Sequence, residues 1–402
     1  MDGKRNSKTM LRSTDGGRRC FVSSYSFVHM SGESIGKRKK VALVTWLGYG
    51  NFGTSLQSYA LYQKLEMMGC EVIYLSHYSS FCSLGIIDWI RNCVNYYRFH
   101  SFLHYAFTSK GRKLYKFHIE KYKIRRALTS CAEKKIMQSI DVFVSGSDQI
   151  WNVSHEYSPF MFLDFVKNKK RVSYASSIGT GQIPEKYRDI VVYHLKKYSN
   201  ISVREQSLVP YLNELLEENK VQHVVDPTFL LSEQDWSRLA AEAEFDYILP
   251  KKYILCYFIG NNPEYQKQLG LLQASIPGCE CVIIPSDENK EAYYGEAIYD
   301  FAAGPKEFVR LIEGATMVCT DSFHATALSI ILSKQFVEFK RFSDDDQTSQ
   351  NSRIVDLLEF YGLQDRFDLC NAHCAIDYTA VQNRLKQARK ESEQYIVANI
   401  MN

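Results

Sequence analysis

The most constraining feature of the sequence is an alternation of short apolar runs with segments of helical period. In its first instance VALVTWL (41–47) is followed by a glycine-containing loop, by a helical pattern that stops at Gly69, and by a second apolar run, EVIYLS (71–76). Strand, helix and strand within about 35 residues make a βαβ unit, whose two strands are parallel. The pattern therefore predicts an α/β fold in which functional loops follow the carboxyl ends of strands.

The later apolar runs fall into two groups. Three of them continue the first sheet: DVFVSGSD (141–148), RVSYASSIG (171–179) and NISVRE (200–205). The alternation then restarts after VVDPTFLLS (224–232). Four runs belong to a second sheet: YILCYFIG (253–260), ECVIIP (280–285), TMVCTDS (316–322) and QFVEFK (335–340). The chain has 402 residues, which is enough for two ordinary domains.

We therefore predict two Rossmann-like domains that face a cleft. Residues 1–38 are rich in Ser, Gly, Lys and Arg and are predicted to be a disordered extension. The N-terminal domain is predicted over 39–203. The C-terminal domain is predicted over 204–402, with a terminal helix at about 378–399.

Composition excludes several functional classes. The net charge of +4 is too small to argue for nucleic acid. The 11 cysteines are odd in number, and neither Cys279–Cys281 nor Cys370–Cys374 has the second half that a zinc site needs. No stretch approaches the roughly 18 apolar residues that span a bilayer. We expect a cytoplasmic protein with reduced thiols and no bound metal.

Residues 89–126 form a basic, aromatic insertion in the first domain, with Glu120 as its only acid. Lys and Arg interleaved with Trp, Tyr and Phe suit a membrane surface or an anionic substrate. A charge run of this kind is also typical of a solvated helix. Both interpretations stay open. If the insertion binds a membrane surface, the protein works at the inner face of the cell membrane.

Gly48, Gly50 and Gly53 have the G-x-G-x-x-G spacing of a dinucleotide-binding turn. That fingerprint also needs an acid near the end of the second strand to hold the ribose, and the sequence there is IYLSHYSS. The carboxylate is missing, so we predict no nicotinamide or flavin cofactor. The loop is either a tight turn or a wall of the cleft, in which Asn51 and Gly53 bring backbone close to a ligand.

Three later segments carry polar groups at the ends of predicted strands. Ser147, Asp148 and Gln149 lie at the end of the strand in FVSGSDQIWN (143–152), and Asp148 is a candidate general base unless it or Ser147 caps the next helix. Arg204 follows the strand in ISVREQ, where its planar fork suits a carboxylate or phosphate unless it pairs with Glu205.

The segment VCTDSFHATALSIILSK (318–334) is the most informative of the three. A strand ends near Asp321, and a helix starts near His324. Free N–H groups of Ser322, Phe323 and His324 would make an anion site, with His324 as a titratable group in it. The alternative is that Asp321 or Ser322 is a simple N-cap and that His324 is exposed on the first turn.

Several motifs in order resemble the polysaccharide pyruvyl transferase family. They are Gly50–Gly53, SGSDQIWN, YASSIG, SVRE, DPTFLL, TDSFHATALSIIL and NSRIVDLLEFYGL, and they span about residues 41–365. The resemblance implies a GT-B-like pair of Rossmann-like domains. It also implies that the family's phosphoenolpyruvate-binding arginine is Arg204 and its essential histidine is His324. Ala325 stands where many members have Gly, and Thr54 departs slightly from their N-x-G-[DA] pattern.

The implied reaction is transfer of a pyruvyl group from phosphoenolpyruvate to a sugar of a cell-surface polysaccharide or its lipid-linked precursor. It forms a pyruvate ketal, releases phosphate, and needs no cofactor. The expected catalytic residues are His324 and Asp148. The expected substrate-binding residues are Arg204, Ser322, Phe323, Asn51, Gly53, Ser147, Gln149 and Arg353. The alternatives are a GT-B glycosyltransferase that uses a nucleotide sugar, with Glu307 or Glu313 as the ribose acid, and a non-catalytic scaffold of capsule assembly.

Overall fold

Parallel β-sheets form the framework of this computed structural model. It describes residues 38–46, 51–76, 107–126, 131–155, 157–286, 294–341, 352–367 and 369–402, all within the compact unit 38–402. The predicted disordered extension (apart from Arg38), Gly48, Gly50 and residues 89–106 of the insertion lie outside the described residues.

The strands of the described residues fall into two five-stranded sheets and one short pair. The first sheet contains β1 (Lys40–Val44), β2 (Glu71–Ser76), β3 (Ile124–Arg126), β4 (Val142–Ser145) and β5 (Lys170–Ser173). The short pair is β6 (Ile201–Val203) and β7 (Val221–His223). The second sheet contains β8 (Tyr253–Tyr257), β9 (Glu280–Ile283), β10 (Ile298–Tyr299), β11 (Met317–Thr320) and β12 (Phe336–Glu338).

Helices connect these strands. In the first half they are α1 (Phe52–Met67), α2 (Ser109–Lys121), α3 (Cys131–Ser139), α4 (Arg188–Leu195) and α5 (Leu208–Leu216). The later ones are α6 (Glu233–Ala240), α7 (Glu264–Ser275), α8 (Pro305–Gly314), α9 (Phe323–Ile331), α10 (Ser352–Tyr361) and α11 (Tyr378–Ile396). Short 3₁₀ turns cover Glu185–Tyr187, Pro227–Leu230, Gln364–Phe367 and Leu369–Asn371, and a π turn covers Val397–Met401.

Both large sheets have the same doubly wound order. The first is β3-β2-β1-β4-β5, and the second is β10-β9-β8-β11-β12, with parallel pairing throughout. The order reverses direction between β1 and β4 and between β8 and β11, where open α/β sheets bind ligands beyond the carboxyl ends of the strands. The predicted fold class, two Rossmann-like halves in a GT-B-like arrangement, is confirmed.

The short pair continues the first sheet beyond β5. Parallel bridges join Val172 to Asn200 and Ser176 to Val203, and β6 pairs with β7. Strand β7 therefore associates with the first sheet although it follows residue 204 in the chain. The boundary at 203/204 stays a prediction.

The terminal helix α11 contacts both halves. Tyr395 donates to the carbonyl of Ser173 in β5 at 3.0 Å, and Gln382 donates to the carbonyl of Ile330 in α9 at 3.1 Å. Helix α11 therefore fixes the second half against the first sheet.

The core near the start of α1 joins the two halves. Phe52, the first residue of α1, stacks on Phe308 of α8 at 4.9 Å and lies 5.7 Å from Tyr257 of β8. Such aromatic pairs contribute about 0.5–1.5 kcal/mol each beyond their buried area. This contact holds the N-terminus of α1 against the second half and so positions the neighbouring Asn51 and Gly53.

In the part of the chain that the structure describes, no helix is both long and apolar enough to cross a bilayer.

Candidate functional site

Two helix N-termini, those of α1 and α9, meet between the two halves. Asn51 is the N-cap of α1, and its side-chain oxygen accepts from the N–H of Gly53 at 2.8 Å and of Thr54 at 3.4 Å. Ser322 is the N-cap residue of α9, but its side chain caps no N–H group. The first N–H groups of a helix lack intrahelical partners, so the start of α9 keeps donors for an anion.

One part of the predicted anion site is wrong. The backbone N–H of Ser322 donates to the hydroxyl of Thr320 at 3.0 Å, so it is not a free donor. The first-turn amides of Phe323 and His324 follow it in the helix. Any anion at this helix is therefore held by the amides of α9 itself rather than by that of its N-cap residue.

Gly53 lies directly against the imidazole of His324. A Cβ at position 53 would lie 2.2 Å from Nδ1 and 2.6 Å from Cγ of His324, far inside van der Waals contact. His324 is buried, 6% exposed, rather than exposed on the first turn of α9. The glycine of the fingerprint-like loop therefore makes room for the predicted essential histidine.

Asp226, which the sequence analysis did not select, joins Arg204 to His324. Its Oδ1 accepts from the N–H and hydroxyl of Thr228 at 2.9 and 2.8 Å, which caps the turn that begins at Pro227. Its Oδ2 lies 3.3 Å from Nη1 of Arg204 and 3.5 Å from Nε2 of His324. One carboxylate thus bridges the two residues on which the family resemblance depends.

The charges around Asp226 keep it ionised. Burial alone would raise the pKa of Asp226, but the neighbouring His324 and Arg204 outweigh burial and hold the pKa well below the usual range for Asp. A carboxylate beside an imidazole fixes the orientation of the ring.

Arg204 lies at the centre of three carboxylates. Its Nε donates to Glu205 at 2.9 Å, and its Nη1 approaches Asp226 and, at 3.5 Å, Asp148. Its guanidinium lies over the ring of Phe323, 4.1 Å from the centroid. Arg204 thus pairs with Glu205 and also lines a cavity between the halves.

Buried donors and acceptors without partners mark where a ligand can bind. Among the described residues, Nη2 of Arg204, Oε2 of Glu205 and Nε2 of His324 have no hydrogen-bond partner within normal geometry. Such groups are costly to leave unsatisfied and are uncommon in native proteins. These three atoms lie close together, whereas other such atoms of the described residues, Nε1 of Trp151 and the hydroxyl of Tyr198 among them, lie elsewhere.

Asp148 is held in a left-handed backbone conformation, with φ of 58°. Its carboxylate accepts from the hydroxyl of Thr54 at 3.2 Å and faces Arg204. Burial would raise the pKa of Asp148, but His324, Arg204 and Arg353 lower it overall. A carboxylate of lowered pKa is a weak base, so the geometry favours electrostatic support over proton abstraction.

A cavity of about 60 Å³ lies between the halves. Of the predicted residues, it is lined by Asn51, Asp148, Gln149, Ser322, Phe323, His324 and Arg353. A neighbouring cavity of about 30 Å³ is lined by Arg204 and shares Phe323 and Arg353 with the first. The structure therefore brings together predicted residues from five separate segments.

Ser147 lies behind this region rather than in it. It is fully buried, and its hydroxyl donates to the carbonyl of Ala175 at 2.8 Å and approaches Asp226 at 3.4 Å. The predicted role of Ser147 in substrate binding stays a prediction, and its observed contacts are with the protein.

Arg353, in the first turn of α10, is buried at the junction of the two cavities. Burial, and secondarily the charge of Arg204, lower the pKa of Arg353 to about 10. The side chain stays cationic at neutral pH and adds positive charge next to the first turn of α9.

Asp321 and Arg341 also line the 60 Å³ cavity but were not selected as site residues. Asp321 accepts from the N–H groups of Ile259 and Gly260, both at 2.7 Å, and from the hydroxyl of Tyr265 at 2.8 Å. Burial raises the pKa of Asp321, and these hydrogen bonds oppose the rise. Asp321 thus fixes the loop after β8 and is not the N-cap of α9.

Comparison with known proteins decides the family. The family model described as polysaccharide pyruvyl transferase matches residues 51–339. The chain belongs to the polysaccharide pyruvyl transferase family. Family membership supports a transferase of polysaccharide biosynthesis, and no curated protein matches the chain.

Solved structures resemble this family member only in overall architecture. The UDP-GlcNAc 2-epimerase of Methanocaldococcus jannaschii is 12% identical with a TM-score of 0.44, covering 80% of this chain and 92% of its own. The UDP-GlcNAc 2-epimerase of Neisseria meningitidis is 10% identical with a TM-score of 0.44, covering 88% and 100%. Acinetobacter baumannii MurG is 10% identical with a TM-score of 0.39, covering 90% and 98%. Likeness at this level does not extend to ligands or chemistry.

Proposed function

We propose that the protein transfers a pyruvyl group from phosphoenolpyruvate to a sugar of a cell-surface polysaccharide or its lipid-linked precursor. The product is a pyruvate ketal and inorganic phosphate. The observation that carries the proposal is the bridge of Asp226 between Arg204 and His324, beside the uncapped start of α9. Family membership supports the same reaction class.

The donor is a compact anion with a phosphate and a carboxylate. The charge of Arg204 is already shared among Glu205, Asp226 and Asp148, so in this proposal it offers the donor a directed hydrogen bond from Nη2 rather than net charge. The amides at the start of α9 and the cation of Arg353 supply the remaining attraction for the anion.

Ketal formation needs a proton on the methylene carbon, and His324 is the proposed acid. The methylene carbon takes that proton, C2 is attacked by one sugar hydroxyl, and phosphate leaves from C2. A second hydroxyl then closes the ring. Of the two protons that the hydroxyls release, one returns to His324 and the other leaves with the phosphate. In this proposal Asp226 orients the imidazole. No step calls for a metal or a redox cofactor.

The nucleotide-sugar alternative gains no support from Glu307 or Glu313, its candidate ribose acids. Glu307 accepts from the N–H groups of Gly304 and Glu244, both at 2.9 Å, as the cap of α8. Glu313 pairs with Arg310 at 2.5 Å. Both carboxylates are occupied by protein groups, so we retain pyruvyl transfer as the proposed function.

Turnover with defined donors tests the proposal. The protein is incubated with phosphoenolpyruvate and a panel of nitrophenyl and lipid-linked sugars, and phosphate release and the mass of the sugar are measured. We expect acceptor-dependent phosphate release and a mass gain of one pyruvic acid less one water. Turnover with a nucleotide sugar, and none with phosphoenolpyruvate, would overturn the proposal in favour of glycosyl transfer.

A further inference from the structure

Helix α2, the described helix of the basic insertion, has an inner face that packs on α1. Phe117 lies 5.5 Å from the ring of Tyr59, and the buried His118 shares a hydrogen bond with Ser55 at 3.1 Å. Near the start of α2, the ammonium of Lys110 lies 4.8 Å from the ring of Phe52. Since Phe52 precedes Gly53, α2 is anchored beside the part of α1 that contacts His324.

Several basic residues of α2 are occupied by ion pairs with the second half. Lys113 lies 3.2 Å from Glu307, and Lys121 lies 2.9 Å from Glu242. The single acid of the insertion, Glu120, pairs with Lys306 at 3.3 Å. These contacts fix the rotation of α2 about its axis, so the residues on its opposite side are directed away from the protein.

The outer face of α2 combines exposed cations with exposed apolar side chains. We use "outer face" for Arg112, Tyr115, Lys116 and Ile119, whose spacing of three and four places them on one side of the helix. All four are exposed, Tyr115 by 41% and Ile119 by 46%, and Phe107 just before the helix is 73% exposed. A surface helix ordinarily turns such apolar residues toward the core.

We propose that the outer face of α2, together with Phe107, docks on an anionic lipid surface. Aromatic and aliphatic side chains enter the headgroup boundary, while Arg112 and Lys116 bind lipid phosphates. A protein partner or a second copy of the chain would equally cover the apolar groups. The two cations, with the neighbouring Glu120 neutralised by Lys306, favour the negatively charged membrane.

The inference rests on the proposed function in one respect, which is that docking gives the site access to a lipid-linked acceptor. Because the inner face of α2 contacts α1 next to Gly53, docking through the outer face holds the cleft near the membrane surface. The substrate class is then a saccharide carried on lipid rather than a finished polymer in solution.

Vesicle binding of the full chain tests the proposal. Co-sedimentation is measured with vesicles of phosphatidylcholine alone and with vesicles that also contain phosphatidylglycerol, at low and high salt. We expect binding to the phosphatidylglycerol vesicles, and weaker binding at high salt because salt screens surface charge. No binding to these vesicles at low salt would overturn the proposal.

Two double variants and two matched controls locate the surface. Arg112→Gln/Lys116→Gln should weaken binding about thirtyfold, since each Lys or Arg near an anionic surface contributes about 1 kcal/mol. Tyr115→Ser/Ile119→Ser should also weaken it. One control removes the same charge from the exposed Lys251 and Lys252. The other replaces two exposed apolar side chains by Ser, those of Ile248 and Leu271, which are 94% and 63% exposed.

The controls should bind vesicles as the wild type does. Equal losses in the controls, or wild-type binding by both outer-face variants, would contradict docking through α2. A dimer in sedimentation velocity that becomes a monomer in the outer-face variants would instead identify a contact between copies. Circular dichroism checks that each variant is folded.

The test is separable from that of the proposed function. Outer-face variants should release phosphate from phosphoenolpyruvate with a water-soluble nitrophenyl sugar at the wild-type rate. If docking fails, this activity persists without vesicle binding. If pyruvyl transfer fails, vesicle binding persists without phosphate release.

Discussion

The contact between Gly53 and His324 gives the sharpest prediction, through Gly53→Ala. The added methyl would lie 2.2 Å from Nδ1, 2.6 Å from Cγ and 2.8 Å from Cβ of His324. Rotation of the imidazole cannot relieve the contact with Cβ, because the position of Cβ is set by the backbone of His324. An ordinary van der Waals contact needs at least 3.4 Å, so the imidazole and the methyl must separate by about 1 Å.

The expected effects on stability and on activity differ in size. Overpacking typically costs about 1–3 kcal/mol, while Ala in place of Gly within a helix returns about 0.5–1 kcal/mol. The net loss in the free energy of unfolding should therefore be about 0–2.5 kcal/mol, and the protein should stay folded. A 1 Å displacement of a catalytic group can cost about a hundredfold in rate, so we expect that loss of phosphate release from phosphoenolpyruvate.

Gly270→Ala is the matched control for Gly53→Ala. Gly270 lies inside α7, and a Cβ there would meet nothing within 4 Å. The control should keep full activity and should gain about 0.5–1 kcal/mol from helix propensity. The measurements are initial rates of phosphate release and urea unfolding of both variants. Wild-type activity in Gly53→Ala would refute the claim that His324 must occupy its observed position.

Three further predictions concern charge and protonation. Asp226→Asn should abolish transfer and cost about 3 kcal/mol in urea unfolding, because it removes a buried counter-charge from Arg204; a stable, active variant would remove Asp226 from the account. Folding lowers the pKa of Asp226. The carboxylate therefore contributes to the free energy of unfolding above the ordinary pKa of Asp, and this contribution is lost as the pH falls. Asp226→Asn should weaken this dependence of the free energy of unfolding on pH. Burial lowers the pKa of His118 from 6.5 to about 4. The free energy of unfolding should therefore fall by up to about 3 kcal/mol as the pH drops through this window, and by less in His118→Gln. Equal pH profiles of unfolding in wild type and His118→Gln would contradict this prediction. His324→Ala should abolish phosphate release with the fold intact by circular dichroism, whereas near-normal rates would remove His324 from catalysis.

The alternation of apolar runs and helical segments predicts four of the five strands in each large sheet, but not the short edge strands β3 and β10. Strands buried on both faces read as continuous apolar runs, as VALV and VFVS do, so they stand out from the sequence. Residues at the carboxyl ends of parallel strands meet at one edge of a sheet. This is why Asp148, Arg204 and His324 could be expected to converge from distant segments.

The role of Asp226 could not be predicted from its neighbours in the chain. Asp followed by Pro and Thr indicates only a capped turn, and the turn is indeed capped by Asp226. Its second oxygen faces Arg204 and His324 because two loops and a helix meet there, which depends on the packing of the two halves. The segment DPTFLL in the family resemblance was the available signal.

Local patterns also left side-chain directions undetermined. Gly53 was expected to bring backbone close to a ligand, but the group that it admits is the imidazole of His324. The charge run of the insertion could not reveal that Lys113 and Lys121 pair with acids more than a hundred residues later, while Lys116 stays exposed. These outcomes depend on contacts between the two halves, which sequence periodicity does not encode.

Calorimetric titration of the protein with phosphoenolpyruvate tests the central claim most directly. Wild type should bind phosphoenolpyruvate saturably. Arg204→Met, which keeps an apolar group over Phe323 but loses Nη2, should bind it at least tenfold more weakly, as expected for loss of a charge-assisted hydrogen bond of about 1.5–3 kcal/mol. Wild-type affinity in Arg204→Met, or binding of a nucleotide sugar but not of phosphoenolpyruvate, would contradict the account.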